Sequence, residues 1–454
     1  RLAVCFPAVM VSTAMQGGCT CENAPLLRID QGNIDIAAAT APRPLGLTAA
    51  DDWTIELRTL GFPDLQRVYG MMGAEDRLTA VFHTQFPHNY NQVNRAAMYD
   101  FFNRHFDLGF DSIEEKDFLP LTRAESTVWN HTYPEPEGAL VGDSHETKLL
   151  AAAAHDSDQT ISHLVPESRE ELAAYRKIIG GAWETVLGRR YDQIGAVVYR
   201  EKSTQRTTQV VIHAGVIRNM DHEEEFPILK FVSPESPAKH GTVVWVTDEG
   251  KNSAFENDQV RTGILSLVNA GYNVIVPDLF GQGELSRAVE KEQCQRMWFQ
   301  RGGDKGWHKF SGYTYGFNHC LFAQRTHDLL SVIKYGRQQG EVGMVGLGKV
   351  AGPLVVAACS QARNEVNRYI IECQNFQFAS IQRHDDPMFV PGAVKYLDLD
   401  GLTSLAAPVP GVIFGTGFPL TQQVYEAHDL SGDIKVRDVT VEDEGLVAAL
   451  KSLD

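Results

Sequence analysis

Continuous apolar runs recur through the C-terminal part of the chain. Thr242-Val243-Val244-Trp245-Val246 shows no polar alternation, as in a strand covered on both faces. Gly271–Asp278, Val342–Gly346, Arg368–Glu372, Gly411–Gly415 and Ile434–Val439 repeat that pattern. Asn257–Ala270, His327–Tyr335 and Ala351–Gln361 carry helical periodicity between them. Ile194–Tyr199 and Gln209–His213 read as an antiparallel start. Strands alternating with helices predict an open α/β sheet over residues 187–454.

The front of the chain shows the same alternation on a smaller scale. Arg1–Val11, Pro44–Thr48 and Arg77–His83 read as strands. Asn94–His105 reads as a helix whose core side is Met98, Phe101, Phe102 and Phe106. These features make residues 1–112 an α/β region of their own. Residues 113–186 are more polar, carry Pro134, Pro136, Gly138 and Gly142, and read as a linker. It ends in a docking helix, Glu167–Leu187, with an acid at its start and Leu172, Tyr175, Ile178 and Ile179 on one face.

An internal repeat links the two α/β regions. Ala38–Thr48 matches Ser404–Phe414, aligning Pro42 with Pro408, and near the same offset Arg368 falls opposite Arg1. Residue 1 therefore corresponds to a point deep inside the later fold. Since the chain starts with Arg rather than Met, inside what reads as a buried strand, a fragment is expected.

Composition narrows the function classes. The formal net charge of −17 argues against a nucleic-acid partner, which needs clustered positive charge, and against an anionic membrane surface. No apolar run is long enough for a transmembrane helix, and no signal peptide is visible. Seven cysteines are too few for a disulfide scaffold at 454 residues, and Cys19-Thr20-Cys21 reads as loop structure rather than a zinc site. Asp221, His222, Glu223, Glu224 and Glu225 read as a solvated hairpin loop.

The candidate chemistry lies at strand ends. Gly271–Glu284 and the strand-to-helix turn Gly346-Leu347-Gly348-Lys349-Val350 resemble the α/β-hydrolase family, whose nucleophile stands in Gly-x-Ser-x-Gly at such a turn. Here the nucleophile position holds Gly348, and Val350 replaces the second glycine. By the repeat, the acid position falls near Gly417 and Phe418, and no histidine follows Asp433. All three catalytic roles are empty in this region. The first region has what the later one lacks. Asp51 and Asp52 follow its Pro44–Thr48 strand, and His88 follows the next, in the family order of acid then histidine. A histidine that shuttles the proton needs a carboxylate to fix its tautomer. Spacing allows either Asp51 or Asp52 as that acid. His83 reads as a strand residue, Lys349 as a surface side chain, and Glu22 and Asn23 as loop hydrogen-bonding groups. No Gly-x-Ser-x-Gly occurs in the chain, and Gly142-Asp143-Ser144-His145 is its nearest imitation.

Gly17–Pro25, Ala41-Pro42-Arg43-Pro44, Asp52-Trp53-Thr54 and Pro87-His88-Asn89-Tyr90-Asn91 together resemble large bacterial acetyl xylan esterase-like proteins. The resemblance covers nearly the whole chain. It implies two α/β-hydrolase units with doubly wound, mostly parallel sheets. The first would be present only as its C-terminal half (1–112), and the second (187–454) complete but degenerate. It also implies an exported, serine-type carbohydrate ester hydrolase, with Asp52 rather than Asp51 as the acid because it precedes the Trp. The nucleophile would come from a segment upstream of Arg1. No metal or organic cofactor is required, because acyl transfer needs only a nucleophile, a base and an oxyanion hole. The alternative is a non-catalytic pseudo-hydrolase that binds carbohydrate or acts as a scaffold.

Overall fold

The computed structural model describes residues 2–13, 24–235, 237–286, 298–300, 307–309, 312–383, 386–440, 443 and 445–453. Two compact units emerge: Arg1–Ser144 with Phe299–His308, and His145–Trp298 with Lys309–Asp454. The division falls inside the stretch that reads as a linker.

In the first unit, β1 (Leu45–Ala49) and β2 (Leu78–Phe82) pair in parallel, from Leu45 opposite Leu78 to Ala49 opposite Phe82. A parallel pair needs a crossover, and α2 (Gly61–Met71) supplies it; α1 (Asn33–Ala38), which precedes β1, packs against α2. Alternation along β1 covers both of its faces. Leu45, Leu47 and Ala49 pack with Leu57, Leu65 and Tyr69. Gly46 lies on the opposite face, where a Cβ would stand 2.2 Å from the Phe6 ring and 3.1 Å from Phe101. Phe101 belongs to α3 (Gln92–Phe106), capped by the Asn91 side chain, which accepts from Asn94 N–H.

Two expectations change here. Residues 2–11 do not form a regular strand; they touch β1 through two bridges, Cys5 to Leu45 and Ala8 to Thr48. Pro7 offers no N–H to a ladder, and Val9 turns away at φ 53°. Val9 N–H then donates to the Thr48 carbonyl and hydroxyl, each at 3.1 Å. Phe106, expected on the core side, is 50% exposed at the last position of α3.

The second unit is built on a nine-stranded sheet. Its strands are β3 (Val197–Arg206), β4 (Val211–Asn219), β5 (Glu224–Val232), β6 (Thr242–Thr247), β9 (Asn273–Pro277), β12 (Val342–Leu347), β13 (Arg368–Glu372), β14 (Gly411–Phe414) and β15 (Ile434–Arg437). The short pairs β7 (Phe255–Glu256) with β8 (Gln259–Val260), and β10 (Trp298–Gln300) with β11 (Trp307–Lys309), lie outside it. The order is β15-β14-β13-β12-β6-β9-β5-β4-β3, parallel from β15 to β9 and antiparallel beyond. This is a mixed α/β architecture dominated by a parallel sheet. β5 was hidden in the sequence because Glu224, Glu225, Pro227 and Lys230 interrupt its apolar positions, and the expected loop shrinks to the turn before Glu224. The helix expected from Asn257 begins only at Thr262. Asn257 and Asp258 turn the β7–β8 hairpin at φ 50° and 59°, a left-handed conformation that Asn and Asp tolerate.

The docking helix appears as Leu172–Tyr175, one π-turn at Arg176–Gly180, and Gly181–Leu187. Tyr175 Oη pairs with Ser404 Oγ at 2.6 Å, and Trp183 Nε1–H donates to the Tyr396 carbonyl. The wider π-turn rotates Ile178 off the expected face, to 44% exposure, while Leu172, Tyr175 and Ile179 stay buried. A helix at Gly142–Ser162, unforeseen in the polar stretch, buries only Ile161. Among the described residues, no helix is long and apolar enough to cross a membrane.

The helix Leu321–Arg337 buries a carboxyl group, Asp328, which accepts from Phe280 N–H at 2.7 Å. Burial pushes the Asp328 carboxyl up to about 7. The folded chain thus holds a proton that the unfolded chain releases near pH ~4. Its contribution to stability is complete below that pH and is lost as pH rises toward 7. The loss is on the order of 4 kcal/mol at most. Asp328→Asn is therefore expected to remain stable where the parent weakens, so that thermal melts of the two diverge from pH 5 to pH 8. Parallel melting curves would contradict this.

Candidate active site

The loop after β1 holds Asp52 in a small hydrogen-bonded turn. Thr54 N–H and Oγ1–H donate to Asp52 Oδ1 at 2.8 and 2.6 Å, and Thr54 Oγ1 accepts from Ala50 N–H at 2.9 Å. This Asx turn commits Oδ1 and leaves Oδ2 to face His88. Oδ2 lies 2.8 Å from His88 Nδ1. The Asp52 side chain is only 7% exposed, whereas that of His88 is 47% exposed. A carboxylate can only accept, so Nδ1 donates to it, and in the neutral imidazole Nε2 keeps its lone pair.

Backbone bonds tie the two loops together. Asp51 N–H donates to the Phe86 carbonyl at 2.8 Å, and His83 N–H to the Ala49 carbonyl at 2.8 Å. Beyond His88, Asn89 Oδ1 accepts from Asn91 N–H and Asn94 Nδ2–H, which anchors the loop to the start of α3. The Trp53 ring lies over His88 with centroids 4.4 Å apart, and its carbonyl accepts from Ser12 Oγ–H at 2.7 Å. The structure thus brings Asp52 and His88 together and leaves Asp51 aside. The Asp51 side chain is exposed and makes no hydrogen bond among the described residues. His83 packs on Phe86, with Nε2 buried and, among the described residues, without a hydrogen-bond partner. Glu22, Asn23, Cys19 and Cys21 lie outside the described residues. Among the described residues, no three His, Cys, Asp or Glu side chains converge as metal ligands.

The corresponding edge of the second unit is differently filled. Gly348 follows β12 at φ 130°, and a Cβ there would stand 2.3 Å from Asp248 Oδ1. That oxygen accepts from Val350 N–H and Ala351 N–H at 3.0 and 2.9 Å, capping the helix Ala351–Ala362. The Asp248 carboxylate therefore occupies the turn itself. Sequence reasoning missed this, because Asp248 sits after β6, about a hundred residues away, and only its place at the end of a central strand hinted at it. Lys349 is exposed, and Gly417 and Phe418, in the loop after β14, have no ionisable side chain. Gly142–His145 opens a helix rather than following a strand. Gly348→Ser is expected to destabilise the protein by about 1–3 kcal/mol, from left-handed strain and collision with Asp248. It should confer no esterase activity on the second unit. An unchanged melting temperature would count against this packing.

No family model matches the chain, and no curated protein matches it. Solved structures do. An acetyl xylan esterase from Thermoanaerobacterium sp. is 15% identical, covering 61% of this chain and 92% of its own, with TM-score 0.37. One from Paenibacillus sp. R4 is 13% identical over 60% and 92%, with TM-score 0.38. A glucuronoyl esterase from Solibacter usitatus is 12% identical over 57% and 86%, with TM-score 0.37. All three are named as esterases. Function has to be argued from side chains such as Asp52, His88 and Asp248.

Proposed function

We propose that the first unit carries the acid–base half of a serine-type ester hydrolase acting on an acylated carbohydrate. The reading rests on one observation: His88 Nδ1 and Asp52 Oδ2 stand 2.8 Å apart on loops that follow two adjacent parallel strands. In this reading residues 1–112 are the later half of an α/β-hydrolase domain, 113–186 link it onward, and 187–454 form a second, non-hydrolytic hydrolase unit. The attacking hydroxyl belongs to a Gly-x-Ser-x-Gly turn on a segment preceding Arg1, since residues 1–454 contain no such motif. The protein works outside the cytoplasm on an acetylated polysaccharide such as xylan.

The chemistry balances without a cofactor. His88 Nε2 takes the serine proton as Oγ bonds to the acyl carbon. The tetrahedral intermediate collapses, and the same proton passes to the departing sugar oxygen. Water then attacks the acyl-serine, giving its proton to His88, and the carboxylic acid leaves as serine is reprotonated. Asp52 keeps the imidazole in the productive tautomer and stabilises its cationic form. The Asp248-filled turn favours a non-catalytic role for the second unit. The test is acetate release from acetylated xylan. Release is expected when the serine-bearing segment is present, and none from residues 1–454 alone. Hydrolysis by residues 1–454 alone would overturn the assignment of the nucleophile.

A further inference from the structure

Trp53 stands between the acid and the threonine that holds it, yet the proton transfers of the proposed hydrolysis give it no task. It is 43% exposed, beside a base that is itself half exposed. Its indole ring and the His88 imidazole have centroids 4.4 Å apart and planes inclined at 35°, a tilted face-to-face stack. The backbone on both sides of Trp53 is pinned. Thr54 N–H donates to Asp52 Oδ1 at 2.8 Å, Ile55 N–H donates to the Asp52 carbonyl at 3.1 Å, and the Trp53 carbonyl accepts from Ser12 Oγ–H at 2.7 Å. Ser12 and Thr54 are fully buried. The turn that aims Asp52 at His88 therefore aims the indole as well.

His88 needs a second constraint. Among the described residues its side chain hydrogen-bonds to Asp52 alone, through Nδ1. One such bond fixes that nitrogen but lets the ring plane tilt about it, and Nε2, across the ring, swings with the tilt. The loop is tethered nearby: Asn89 Nδ2–H donates to the Pro87 carbonyl, and Asn89 Oδ1 accepts from Asn91 N–H and Asn94 Nδ2–H. Those bonds hold the backbone and not the imidazole plane. The indole blocks the tilt on one side. Its face also carries the negative part of the ring quadrupole, which attracts a cation more than a neutral ring. In the proposed reaction His88 becomes cationic as Nε2 takes the serine proton. The attraction therefore grows toward the transition state and acts on turnover rather than on substrate affinity.

We infer that Trp53 is a positioning residue, whose indole fixes the plane of the His88 imidazole and steadies that ring as it gains the serine proton. The role in turnover rests on His88 being the base, as proposed above, whereas the stack itself does not.

Trp53→Ala and Trp53→Phe test this in protein that includes the proposed serine-bearing segment, on an acetylated xylo-oligosaccharide. Trp53→Ala should lower kcat about tenfold and leave KM within about twofold of the parent. Trp53→Phe, which keeps an aromatic face, should recover much of the loss. An unchanged kcat, a raised KM with kcat intact (an indole that holds sugar instead), or a Phe variant no better than Ala would overturn the inference. A second readout needs no hydrolysis. In residues 1–454 labelled with ¹³C at histidine Cε1, the His88 resonance, identified by its absence from His88→Ala, should carry a ring-current shift that Trp53→Ala removes. A His88 resonance that does not move would overturn the stack. Turnover that survives His88→Ala would overturn the base reading. Full kcat in Trp53→Ala beside an inactive His88→Ala would overturn this inference alone.

Discussion

Replacing His88 by alanine, in protein that also carries the proposed serine-bearing segment, is expected to lower kcat/KM on an acetylated xylo-oligosaccharide by roughly 10⁵. Alanine leaves no group to accept the serine proton or return it to the leaving sugar, so both acylation and deacylation lose their base. The fold should tolerate the change. His88 is half exposed, among the described residues its side chain hydrogen-bonds to Asp52 alone, and Asp52 keeps both bonds from Thr54. Melting temperature should therefore stay close to that of the parent while turnover collapses. A variant that retains turnover would refute the role of this histidine.

Asp52→Asn should cost nearly as much, on the order of 10⁴ in kcat, with little change in KM. The replacement can still accept from Thr54 through its amide oxygen, so the turn survives. Its NH₂ group then faces His88 Nδ1, which must become an acceptor. The imidazole proton moves to Nε2, where the serine proton was to be received. Asp51→Asn is the internal control. Its carboxylate is exposed and makes no hydrogen bond among the described residues, so activity should change by less than about twofold. The reverse ranking of the two variants would transfer the role to Asp51.

The acid–histidine pair was legible because order along the chain carries it: an acidic loop after one strand and a histidine loop after the next. Spacing could not choose between Asp51 and Asp52, since both sit in the same loop. What separates them is Thr54, whose two bonds turn Asp52 inward. The central strands of the second unit were legible as unbroken apolar runs, and β13 keeps its expected bounds of Arg368–Glu372. β5 was not, because charged residues and Pro227 break its pattern while pairing with β4 and β9 makes it a strand. The front segment misled in the opposite sense: its apolar run reads as a strand, but Pro7 and the left-handed Val9 reduce it to two bridges. Asp248 was out of reach because its partners, Val350 and Ala351, are distant in sequence and meet it only in the fold.

The most direct measurement is active-site labelling. Protein that includes the proposed upstream segment is treated with a fluorophosphonate, and the modified peptide is identified by mass spectrometry, beside the His88→Ala variant. The account predicts one modified serine, in a Gly-x-Ser-x-Gly turn on the segment preceding Arg1, with labelling that nearly vanishes when His88 is replaced. A modified serine within residues 1–454, or labelling of equal rate in the variant, would contradict it.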